Sequence, residues 1–96
     1  MRKKNASTLG DAIKAYLKAM GLDKKLKERE LINSWEDTLG KNIANATKNI
    51  YISNRRLFVE IESAIIKSEI LMIKTSIIQS LNKKVGEVVI RDIIVK

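Results

Sequence analysis

Apolar residues recur with a helical period over the first forty positions. Leu9, Ile13, Tyr16, Leu17 and Met20 fall on one face of a first helix. Thr8 stands where a cap would begin it, Asp11 occupies the capping-box position, and Gly21 follows its last turn. Asp23 is placed to cap a second helix that runs to Leu39. In it, Leu31, Ile32, Trp35 and Leu39 form the buried stripe. Gly40 sits where a left-handed residue would stop the turn, and Ile43 and Ala46 add one more helical turn.

The period then drops to two. Ile50 and Ile52 alternate with Asn49, Tyr51 and Ser53; Leu57, Val59 and Ile61 alternate with Phe58, Glu60 and Glu62. A two-residue turn at Asn54-Arg55 pairs Ile52 with Leu57 and Ile50 with Val59 on the core side. The same register sets Tyr51 against Phe58 and Asn49 against Glu60 on the other face. A slip of one residue would mix the two sets, so the pairing is well specified.

Ser63 caps a third helix reaching about Asn82. Its stripe of Ile66, Ile70, Ile73, Ile77 and Leu81 is widened by Leu71, Met72 and Ile78, which makes it the central core helix. Gly86 breaks the chain, and Val88 to Val95 form a β-branched strand apolar on both faces. Such a strand is either covered on both sides or part of an interface. The order α-α-β-β-α-β predicts a two-layer α+β domain: a three-stranded mixed sheet with helices on one face. This is similar to a type II KH arrangement, with a split ferredoxin-like variant as the alternative topology.

The 96 residues make one domain, with residues 1–7 as a mobile basic arm ahead of a domain over 8–96. Cysteine and histidine are both absent. That removes disulfides, His-dependent triads and most transition-metal sites, leaving carboxylate-only coordination as the metal option. No cofactor is expected. Glu60 and Glu62 read as solvated surface, Glu36 and Asp37 diverge on a helix, and Asp92 is isolated, so no nucleophile–base pair can be assembled. The expectation is a non-enzyme. With no secretory signal and no apolar run long enough to span a bilayer, a cytoplasmic location is expected and no membrane partner.

Charge gives the partner class. The formal net charge is +8, and up to residue 29 nine Lys/Arg stand against Asp11, Asp23 and Glu28. The candidate nucleic-acid ligands are Arg2, Lys3 and Lys4 in the arm; Lys24, Lys25 and Lys27, in a cluster with Arg29; Arg55 and Arg56 at the hairpin tip; and Lys83 and Lys84 after the third helix. Such residues neutralise phosphates without reading sequence; a solvated surface is the alternative for each cluster. Tyr51 and Phe58 offer a platform for bases, a patch for a protein partner, or simple cross-strand stabilisation. No G-x-x-G occurs, so the backbone clamp of KH domains is missing.

Several short patterns run in order along the chain. They are Leu31 to Gly40 (L-I-N-S-W-E-D-T-L-G), Ala44 to Thr47, Arg56-Leu57-Phe58-Val59, Ser63, Glu69-Ile70, Leu81-Asn82, Gly86, and Ile90-Arg91-Asp92-Ile93. In order and spacing the chain resembles the DciA family of bacterial replicative-helicase operators from about Leu9 to Val95. Where family members often carry a bulky aromatic after the second strand, this chain has Ala64-Ile65. The resemblance implies an adaptor in DNA replication that binds the replicative helicase and single-stranded DNA and assists helicase loading; Tyr51 and Phe58, read from the strand alternation, are the candidate docking patch for it. The alternatives are a general RNA- or DNA-binding KH-like module and a structural or dimerising domain, with a second copy of the chain as partner.

Overall fold

The computed structural model describes the backbone from Lys3 to Lys96 and side-chain surroundings from Thr8 onward. Helices α1 (Lys3–Ala19), α2 (Leu22–Asn33), α3 (Trp35–Leu39) and α4 (Lys41–Ala46) precede the hairpin of β1 (Thr47–Ser53) and β2 (Arg56–Ile61). Helices α5 (Ala64–Met72) and α6 (Lys74–Val85) then lead to β3 (Asp92–Val95). The sheet order is β1-β2-β3, with β1 antiparallel and β3 parallel to β2. This is the expected α+β domain with a mixed three-stranded sheet and helices mostly on one face.

The hairpin has the register that the alternation predicts: Ile52 faces Leu57, Ile50 faces Val59, Tyr51 faces Phe58 and Asn49 faces Glu60. Asn54 and Arg55 both have positive φ, 51° and 62°, the pair of left-handed residues that a type I′ turn requires. Register and turn therefore agree, and Leu57 and Val59 are delivered to the core with almost no exposure.

The core gathers Leu31 from α2, Trp35 from α3, Leu57, Val59 and Ile61 from β2, Ile70 from α5, and Ile77, Leu81 and Val85 from α6. Val89, Ile90 and Ile93 close it from the C-terminal segment. Trp35 is buried as its spacing predicts. Its indole N–H donates to Thr47 Oγ1 at 3.1 Å, and that hydroxyl donates to the Ile43 carbonyl at 2.7 Å. One side chain thus ties α3 to the junction of α4 and β1.

Several element boundaries differ from expectation. The first helix runs Lys3–Ala19 with Thr8 as an interior position, so Thr8 does not open it. Arg2 of the expected basic arm lies outside the described residues, and only the helical backbone of Lys3 and Lys4 is described. The second helix starts at Leu22, with Asp23 inside its first turn, and breaks at Ser34. There the Ser34 N–H donates to both Glu30 and Leu31 carbonyls, and its hydroxyl donates back to Leu31 O at 2.8 Å. This local bonding competes with continuation of the helix. Gly40 joins α3 to α4 at φ 93°, ψ 166°, an extended conformation open essentially to glycine alone, rather than the left-handed helical one.

The third helix also breaks, at Ile73, whose N–H is shared between Glu69 and Ile70 carbonyls. The stripe is therefore discontinuous: Ile70, Ile77 and Leu81 are buried, while Ile73, Leu71 and Met72 are exposed. The last strand begins only at Asp92. Ahead of it, Asn82 organises the loop after Gly86. Its Nδ2 donates to Ile90 O at 2.9 Å, and its Oδ1 accepts from the Val89 and Ile90 N–H groups at 2.9 and 3.1 Å. Val89 and Ile90 are thereby buried from a loop. β3 is an edge strand with Ile93 buried and Ile94 and Val95 half-buried, and Val88 ahead of it stays exposed.

Candidate nucleic-acid and partner interface

The type I′ turn carries Arg55 at the tip of the hairpin, exposed, with its carbonyl accepting from Arg91 N–H at 2.7 Å. That contact holds the tip against the loop before β3. Beside the tip lies the first turn of α2. Lys24, Lys27 and Arg55 meet around a depression of about 190 Å³, together with Asp23, Glu87, Val88 and Val89. Two basic clusters separated in sequence are thus joined in space.

Their members are not equivalent. Lys27 is only partly exposed, and its Nζ donates to Val85 O at 3.1 Å and lies 3.8 Å from Glu30. It caps the C-terminal end of α6, where a cation is favoured. Its charge is already engaged, unlike the exposed Lys24 and Lys25. Arg56 stands across from Asp92 in the sheet. The Asp92 carboxylate accepts from Lys74 Nζ at 3.0 Å and from the Ile93 N–H at 2.8 Å. The Lys74 hydrogen bond first, then the backbone N–H, hold its pKa below the ordinary carboxylate value; the charges of Lys74 and Arg56 act in the same direction.

A larger groove, about 540 Å³, runs between α2 and the outer edge of β1. Lys25 and Arg29, one turn apart on α2, line one wall with Glu28, Ile32 and Asn33. Ile50, Tyr51 and Ile52 line the other. Arg29, read in the same cluster as Lys24, Lys25 and Lys27 but not as a candidate ligand, lines this groove. The signal available was the i, i+4 spacing of Lys25 and Arg29, which sets both on one helix face.

Tyr51 also belongs to the open face of the sheet. Its ring stacks on Phe58 with centroids 4.9 Å apart and planes 6° from parallel. The register extends this row to Ile94 of β3. Lys96 Nζ lies 5.5 Å from the centre of the Phe58 ring, a cation–π contact that sequence spacing did not reveal. The row Tyr51–Phe58–Ile94 is therefore an apolar strip with a cation over its central ring and the basic groove along its β1 edge.

Lys83 and Lys84 lie apart from the groove. They occupy the last turn of α6, where they complement the helix dipole. Lys84 lines a separate shallow depression with Glu30, Asn33, Ser34, Asp37 and Val85. Among the described residues no group of three acidic side chains is placed to hold a metal ion, and no helix is long and apolar enough to cross a membrane.

The family described as "Dna[CI] antecedent, DciA" matches residues 8–95. A relative is a "UPF0232 protein" of Corynebacterium glutamicum (strain R), 24% identical over 90 residues; the match covers 94% of this chain and 51% of the relative. The chain thus spans about half the length of the curated relative it matches. No solved structure matches, so the likeness to type II KH domains rests on element order and the mixed sheet.

Proposed function

The chain belongs to the DciA family, and from that premise we propose that it is a non-enzymatic adaptor of DNA replication. It binds the replicative helicase and single-stranded DNA and assists helicase loading in the cytoplasm. Family membership across nearly the whole chain carries this reading. The geometry supplies a division of labour. Lys24, Lys25, Arg29 and Arg55 hold the DNA backbone weakly along the groove and the hairpin tip, with Arg56 beside them. The strip of Tyr51, Phe58 and Ile94 docks the helicase. Tyr51 stands where groove and strip meet, so DNA and helicase sit side by side on this edge of the sheet. No phosphate-binding G-x(4)-G-K-[ST] sequence is present, so the energy for loading comes from binding or from the helicase's own hydrolysis.

Counterion release sets the test. With about five phosphates neutralised, single-stranded DNA affinity should fall about a hundredfold between about 50 and about 200 mM salt. Lys25→Gln plus Arg29→Gln should weaken binding and reduce the salt slope by roughly 1.4. A salt-independent affinity would remove DNA from the proposal.

A further inference from the structure

Helix α1 stands away from the rest of the molecule. The described chain is 56 Å long but only 22 by 21 Å across. From Thr8 to Ala19 every α1 side chain is exposed except Leu17, which is half-buried. Yet the helix is strongly two-sided. Leu9, Ile13, Tyr16 and Met20 follow one another at spacings of four, three and four, and each is more than half exposed. This is the d-a-d-a seam of a two-heptad coiled coil.

The residues flanking that seam identify its occupant. The e and g positions are Gly10, Leu17, Ala12 and Ala19, all uncharged and mostly small. The charges Asp11, Lys14 and Lys18 fall at b and f, on the far side. A basic seam edge would call for an acidic partner; this one carries no charge and admits close approach of an identical helix. We propose that α1 pairs in antiparallel fashion with α1 of a second copy of this chain. Antiparallel pairing sets Ile13 against the partner's Tyr16 and sends the two basic bodies to opposite ends, where their mutual repulsion is least. The seam buries roughly 1,000 Å² in total, at the lower end for a specific interface, so the dimer is weak and concentration-dependent. A lone helix of this length is marginal in water, and pairing supplies the missing apolar contact. This proposal stands independently of helicase binding.

Sedimentation of the whole chain across a concentration series tests it. The wild type should shift from monomer to dimer mass as concentration rises through the micromolar range. Ile13→Asp should remain monomeric, and so should Leu9→Asp at the other end of the seam. Lys18→Ala, on the outer side, should dimerise like the wild type. Trp35 fluorescence should be the same in all four, because the core does not include α1. Wild type that stays monomeric throughout overturns the proposal, as does an Ile13→Asp chain that dimerises normally. Monomeric wild type combined with Ile13→Asp loss of helicase capture would assign the seam to the helicase instead.

Discussion

Trp35 shows what a single residue can be asked to do here. Its indole is buried in the core and donates to Thr47 Oγ1, so its removal leaves a cavity and loses that bond. Trp35→Ala should cost about 3–5 kcal/mol in chemical denaturation; a loss under about 1 kcal/mol would show that the core closes without it. Its burial was legible in the sequence, because its spacing from Leu31 and Leu39 fixes the face it occupies. The role of Lys27 was not legible: its acceptor is a carbonyl 58 residues away, and no local pattern encodes that. Asp92 was read as isolated, whereas Lys74 and the Ile93 N–H both stabilise its charged form. Its folded pKa lies below the unfolded value. Its contribution is therefore present above the ordinary value of 3.8 and is lost as pH falls through the folded pKa. Thermal melts from neutral pH to pH about 2 should show Asp92→Asn losing less stability on acidification than wild type. Identical acid slopes would contradict this linkage.

At the level of elements, the hairpin was the most legible part, because alternation constrains both faces at once and Asn54-Arg55 fixes the turn. The helices were legible in position but not in continuity. Neither Ser34 nor Ile73 is a proline or glycine, and each break arises from a carbonyl-sharing N–H that only the folded chain displays. The last strand was overread for a related reason. Val88 to Val95 has strand composition throughout, but Asn82 supplies three hydrogen bonds that hold Val89 and Ile90 in a loop. Asn82→Ala leaves these partly buried backbone groups without their partner and should cost about 2–3 kcal/mol. Hydrogen exchange should show Val89 and Ile90 amides losing protection first; unchanged protection would mean that the loop is held by Arg91–Arg55 pairing and apolar packing alone. The basic groove was half legible for the same reason: the cations were visible along the chain, but the apposition of α2 to the β1 edge was not.

The whole molecule joins a compact core to an amphipathic helix standing outside it, and gathers Lys24, Lys25, Arg29, Arg55 and Arg56 along α2 and the hairpin tip. Among the exposed apolar features that remain after folding are the α1 seam and the strip running from Tyr51 across the sheet. The first is the seam of the proposed dimer and the second the proposed docking strip, with the groove at its edge as the proposed DNA path. The element order and the expected family were legible at this scale, since both depend on colinear pattern. The separation of α1 from the core was not, because an amphipathic stripe looks the same whether its partner is internal or external. The most direct measurement is capture of the purified replicative helicase by the wild-type chain and by Tyr51→Ala plus Phe58→Ala, with circular dichroism confirming that both fold. The account predicts capture by wild type and its loss in the double variant. Absence of capture by the folded wild type would contradict the central claim, and equal capture by both would remove the helicase from the Tyr51–Phe58 strip.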